Sequence, residues 1–126
     1  MVRVLITGSR DWWDYDFIFT AIRALHTRTP ISLVIEGEAR GADRIGRTVA
    51  QELGIPVATY PAKWDDHGIY KPNAGLLRNQ QMLDDGKPDL VLAFHDDLAH
   101  SRGTADMVRR ARIAGVPVQL YKHEAQ

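Results

Sequence analysis

Hydroxyl, glycine and arginine residues gather at a few points, each directly after an apolar run. The first is Thr7-Gly8-Ser9-Arg10-Asp11. Glycine lets the backbone turn tightly and lets a phosphate approach the amides. Ser9 adds a hydroxyl, and Arg10 adds a planar fork that matches phosphate. A second cluster runs from His95 to Thr104 and ends in Ser101, Gly103 and Thr104 at the start of an expected helix. Free amides, small side chains and the positive end of the helix dipole would coincide there and form an anion site. The same residues equally suit an ordinary helix start, with Ser101 or Thr104 as the cap.

A third cluster, Glu36-Gly37-Glu38-Ala39-Arg40-Gly41-Ala42-Asp43, sets two glycines, Gly37 and Gly41, around a tight turn. Asp43 falls in a first helical turn, where the dipole favours a carboxylate. It could instead accept from ribose hydroxyls, as acidic groups do in dinucleotide folds. The spacing is not G-x-G-x-x-G and follows the second strand, which disfavours ordinary NAD binding. No G-x-x-x-x-G-K-S/T loop is present, which argues against an ATPase or kinase.

Further along, Trp64 and Tyr70 are candidates to stack on a base, or else to cover an edge of the core. Arg78 and Asn79 lie about one turn into a helix, from which a side chain could reach a ligand crevice or simply meet solvent. His95 and His100 flank Asp96 and Asp97 without any helical metal-ligand spacing, so no metal site is expected. Serine, histidine and aspartate are present without a G-x-S-x-G elbow, which disfavours a nucleophilic triad. No cofactor is expected.

The elements that must position these groups are legible in the apolar pattern. Strands are expected at Val2–Thr7, Ser32–Ile35, Pro56–Tyr60, Asp89–Phe94 and Val116–Tyr121. Between them, helical spacing predicts helices over about Asp14–Arg28, along Ala42, Ile45, Val49, Ala50 and Leu53, over about Asn73–Asp85, and along Thr104, Met107, Val108 and Ala111. The polar stretch from Pro61 to Pro72 reads as a long loop, of a length that is usually functional or disordered. This alternation predicts an α/β protein, a three-layer α/β/α sandwich around a five-stranded parallel sheet in the order 3-2-1-4-5. In that order the chain reverses between strands 1 and 4, where ligands bind in such sheets.

Composition narrows the classes. The 126 residues suit one domain. Cysteine is absent, which removes disulfides, thiolate zinc sites and cysteine nucleophiles. Sixteen basic residues balance sixteen acidic ones, so no global field draws the chain to nucleic acid or anionic lipid. Twelve of the basic residues are arginine and four are lysine. That bias suits bidentate capture of phosphate, and genomic base composition produces it too. No membrane-length apolar run or signal-peptide pattern is seen, so a soluble, cytoplasmic protein is expected.

Taken together, Gly8-Ser9-Arg10, Glu36-Gly37-x-Ala39-x-Gly41-Ala42-Asp43, Pro61-Ala62-x-Trp64, Gly75-x-x-Arg78-Asn79-x-x-Met82 and Ser101-x-Gly103-Thr104-Ala105 resemble, in order, the motifs of YspA-like members of the SLOG superfamily. That superfamily includes the DNA-processing protein DprA and the LOG phosphoribohydrolases. The resemblance implies a Rossmann-like domain for nucleotides or nucleotide-derived ligands such as ADP-ribose-like molecules, and a homo-oligomer, dimeric or higher. It implies ligand contacts from Gly8, Ser9, Arg10, Gly37, Gly41, Asp43, Arg78 and Asn79, with Ser101, Gly103 and Thr104 holding a phosphate.

One position departs from the LOG pattern, whose G-G-x-G-T-x-x-E motif ends in a glutamate that serves cleavage of the N-glycosidic bond. Met107 stands there, and Asp106 is about 100° away around the helix. The leading expectation is therefore a sensor or sequestering protein for a small nucleotide-derived ligand. The alternatives are an N-glycosidase using Glu36 or Asp43, and a DprA-like module handling single-stranded DNA. The neutral charge speaks against the last, although Arg102, Arg109, Arg110 and Arg112 cluster on the final helix.

Overall fold

The computed structural model describes residues 1–124. The first half of the chain runs β1 (Val2–Gly8), α1 (Tyr15–Arg28), β2 (Ile31–Glu36), α2 (Ala42–Glu52) and β3 (Val57–Thr59). A small hairpin follows, β4 (Asp65–Asp66) and β5 (Ile69–Tyr70). The second half is α3 (Ala74–Gly86), β6 (Leu90–Phe94), a single 3-10 turn at Leu98–His100, α4 (Gly103–Ile113) and β7 (Val118–Tyr121).

The five main strands pair in parallel in the order β3-β2-β1-β6-β7. This is the expected 3-2-1-4-5 order, with the numbering shifted by the hairpin. The hairpin itself corrects the reading of residues 61–72 as plain loop. Asp66 pairs with Ile69 across a turn in which His67 (φ 55°) and Gly68 (φ 80°) are both left-handed. Tight hairpins favour two such residues in succession, and only Gly68 signals them in the sequence.

Side-chain alternation along β1 explains the three layers. Val4 and Ile6 pack with Ile18, Ile22 and Val49, which come from α1 and α2. Leu5 packs on the other face with Met82, Leu83, Met107 and Ala111, which come from α3 and α4. All three β1 side chains are fully buried, as a central parallel strand covered on both faces requires. Asp14 caps α1 by accepting from the Phe17 amide at 3.1 Å.

The layers approach closely where side chains are smallest. A Cβ on Gly46 of α2 would lie 2.8 Å from Cγ2 and 3.2 Å from Cβ of the buried Ile6. Neither atom is the free end of a flexible chain. Gly46→Val is therefore expected to cost about 1–3 kcal/mol in urea denaturation. Unchanged stability would mean that α2 does not ride this closely on β1.

Candidate functional site

A cavity of about 450 Å³ opens where β1 and β6 end. Gly8, Ser9 and Arg10 form one wall, and Ser101, Gly103 and Thr104 form the opposite one. Asp43, Arg78 and Asn79 line its inner part, while Trp64 and Tyr70 lie at the side of the hairpin. Of the residues singled out from sequence, Glu36, Gly37 and Gly41 are not in this lining.

The first wall is set by close backbone contact. A Cβ on Gly8 would lie 2.3 Å from the carbonyl oxygen of Phe94 and 2.7 Å from Cβ of Ala42. The Ser9 amide donates to the Phe94 carbonyl at 2.8 Å, which ties the β1 loop to the end of β6. The Ser9 carbonyl in turn accepts from the Ala42 amide at 3.1 Å, capping α2 with backbone. Gly41, at φ 83°, makes that approach possible, because a Cβ there would lie 2.2 Å from the Ser9 carbonyl oxygen. Gly41 thus shapes the loop from behind.

At the opposite wall, Oγ of Ser101 accepts from the amides of Thr104 at 3.0 Å and Ala105 at 3.4 Å. Ser101 is therefore the side-chain cap of α4, and it faces the cavity as well. Among the described residues, the amides of Arg102 and Gly103 donate to no protein acceptor. Asn79 holds this helix start in place. Its Nδ2 donates to the Gly103 carbonyl and to Asp106, each at 3.1 Å, and its Oδ1 accepts from Nε of Arg78 at 3.2 Å.

Arg78 crosses the site. Its Nη1 donates to the Gly37 carbonyl and, at 3.4 Å, to the Tyr60 carbonyl, so the guanidinium braces the loop after β2. Burial lowers its pKa, an effect that the Asp43 charge opposes and the Arg10 charge reinforces. Arg10 lies over the Trp64 ring, 5.7 Å from its centroid, within cation–π range.

The two acidic candidates differ. Asp43 is 4% exposed, and its Oδ2 accepts from the amides of Gly37 at 3.1 Å and Ala39 at 3.4 Å. Burial pushes its carboxyl up to about 7, against the pull of Arg78, and the Glu36 charge adds to the rise. Glu36 is fully buried. Its oxygens accept from the Glu38 amide at 2.8 Å and the Thr59 hydroxyl at 3.4 Å, and Arg47 lies 3.6 Å away. Burial raises its pKa too, against those partners. Met107 is fully buried in the core under α4. Asp106 bonds Asn79, Arg109 and Arg110, and these bonds outweigh burial to hold its pKa below the usual carboxylate value.

The histidines and aspartates after β6 do not converge. His100 pairs with Asp97 at 2.8 Å, and His95 accepts from the Asp97 amide. Asp96 turns to His123 at 2.9 Å. His123 also reaches Asp14 at 2.8 Å and stacks on Trp12 with centroids 4.6 Å apart. Sequence reasoning missed this second cluster, because His123 lies far from its partners along the chain. Arg102 precedes α4 as its N-cap residue, and of the three arginines on the helix Arg109 and Arg110 are both ion-paired to Asp106.

The family model described as "YspA, cpYpsA-related SLOG family" matches residues 2–67. A relative, the Gene 61 protein of Mycobacterium phage D29, is 40% identical over 124 residues, covering 94% of each chain. The chain belongs to the YspA, cpYpsA-related SLOG family. Solved structures share the fold of this SLOG domain at low identity. DprA from Streptococcus pneumoniae superposes with a TM-score of 0.72 at 14% identity, over all of this chain and 51% of that one. DprA from Helicobacter pylori gives 0.66 at 16% identity, over 99% of this chain and 67% of that one. UDP-GlcNAc 2-epimerase from Neisseria meningitidis gives 0.54 at 19%, over 95% and 32%. The chain thus spans about half the length of the pneumococcal protein.

Asp43 makes a test of this geometry. Its folded-state pKa of about 7 lies above that of an unfolded aspartate, about 3.9. The folded protein therefore holds a proton that the unfolded chain releases. The resulting stability is full below about pH 4 and falls as pH rises towards about 7. Asp43→Asn keeps an acceptor for Gly37 and Ala39 and is expected to flatten this part of the thermal stability profile. An equally steep decline in the variant would mean that Asp43 is not buried as described.

Proposed function

We propose that this SLOG domain binds a small nucleotide-derived ligand, as a sensor or sequestering protein, with a phosphate at the start of α4. The observation that carries the reading is the convergence on one cavity of the unpartnered Arg102 and Gly103 amides, the Ser9 hydroxyl and the guanidinium groups of Arg10 and Arg78. Amides at a helix start and arginine forks are complementary to phosphate in both charge and geometry. Trp64 and Tyr70 offer aromatic surface for a base at the same cavity.

A hydrolytic reading is favoured by one observation, the placement of the buried Asp43 carboxyl at the cavity, where burial pushes it up to about 7. A group so poised can act as general acid or base near neutrality. It would take a proton from water adding to the anomeric carbon while the C–N bond breaks and its electron pair leaves with the base, nicotinamide departing neutral and adenine taking a proton from solvent. Glu36, enclosed by Glu38, Thr59 and Arg47, is the weaker candidate for that role.

The two readings separate in one experiment. The protein is mixed with AMP, NAD or ADP-ribose, its melting temperature is recorded, and each mixture is then chromatographed. A ligand at about 100 times its Kd adds roughly 2.7 kcal/mol, a rise of several degrees in Tm. Such a rise with the ligand recovered intact is expected, and Arg10→Ala or Arg78→Ala should weaken binding about 10- to 100-fold. Free base released by the wild type but not by Asp43→Asn would replace the sensor reading with the hydrolytic one. No shift with any compound would contradict both.

A further inference from the structure

A second pocket, of about 330 Å³, adjoins the cavity and shares with it Arg10, Ala39, Trp64 and Arg78. Its own contribution comes from the loop after β2 and the first turn of α2, and it adds the side chains of Arg40 and Arg44. Each space is of the order that small ligands occupy, roughly 300–1,000 Å³.

The charges around this second pocket do not cancel. Glu38 contributes to its lining, but that carboxylate lies 3.6 Å from Arg47. Arg40 pairs with Asp11 at 3.3 Å and donates from Nε to the Arg10 carbonyl at 3.1 Å. Arg44 donates from Nε to the Glu38 carbonyl at 3.2 Å, which holds the exposed guanidinium at the loop. Among the described residues, no carboxylate lies within 4 Å of the guanidinium groups of Arg10, Arg44 or Arg78. A chain of zero net charge thus places three arginines outside any ion pair along two adjoining pockets that share Trp64. Excess cationic forks beside a desolvating wall call for an anion with oxygens to spare.

We infer that the ligand carries two separated anionic groups, one at the start of α4 and the other at Arg44, with Arg10 bordering both, joined by a nucleoside that passes Trp64. The class is a two-headed nucleotide, such as a 5′-phosphorylated dinucleotide. This rests on the proposed function for its first anion site and adds the second.

Titration calorimetry with AMP and with the 5′-phosphorylated dinucleotide pApA tests it. The wild type should bind pApA about tenfold or more tightly than AMP, the increment of one added charge-assisted contact. Arg44→Gln, an exposed change outside the first cavity, should remove most of that gain and leave AMP affinity unaltered. Equal affinity for the two ligands, or an equal loss for both in Arg44→Gln, would overturn the second site while the first stands. Affinity that climbs further from pApA to a ten-residue single-stranded DNA would overturn it in favour of a polynucleotide. If the wild type binds neither AMP nor pApA, this inference fails, and the proposed function fails with it only if NAD and ADP-ribose are not bound either.

Discussion

The whole site depends on how closely the chain passes itself at the end of β1. Gly8 fits between the Phe94 carbonyl and Ala42 only because it has no Cβ, and the Ser9 amide and carbonyl then fasten the loop to β6 on one side and α2 on the other. Buried backbone groups in such a junction must find partners, and here they find one another. The consequence is geometric. The starts of α2 and α4, which lie on opposite faces of the sheet, are brought to the same crevice, with the first loop fixed between them.

Ion pairing sets two groups of arginines apart from the rest. Arg47, Arg109 and Arg110 are matched to carboxylates and serve the scaffold. Arg10, Arg44 and Arg78 have no such match among the described residues and border the two adjoining pockets. Asp43 sits opposite as the buried counterweight, held by the amides of Gly37 and Ala39. Its proximity to Arg78 keeps a partial balance inside a site that still has positive charge to offer. Net charge alone hides this distribution, since surplus cations here are offset by acids elsewhere on the surface.

The fold was largely legible in the sequence because burial on both faces leaves near-continuous apolar runs such as Leu90–Phe94, and helices between them keep their 3.6-residue spacing. The β4–β5 hairpin was not, because two-residue strands carry no period and His67 is an unusual occupant of a left-handed position. Within the site, the loops were legible as clusters, but individual roles were less so. Asn79 reads as a ligand contact, yet its side-chain amide is committed to Arg78, Gly103 and Asp106. Gly41 reads as a ligand glycine, and its role in admitting the Ser9 carbonyl leaves no mark in the sequence. Arg44 gave no signal at all, because a helical arginine looks the same in sequence whether it borders a pocket or open solvent.

The proposed phosphate site is the start of α4. Amide chemical shifts of the 15N-labelled protein, followed during titration with AMP, test it most directly. The largest changes are expected at Arg102 and Gly103, whose amides have no protein acceptor among the described residues, with smaller ones at Thr104, Ser9 and Arg10, which line the same cavity. Changes concentrated away from both loops, for instance around Trp12 and His123, would contradict it.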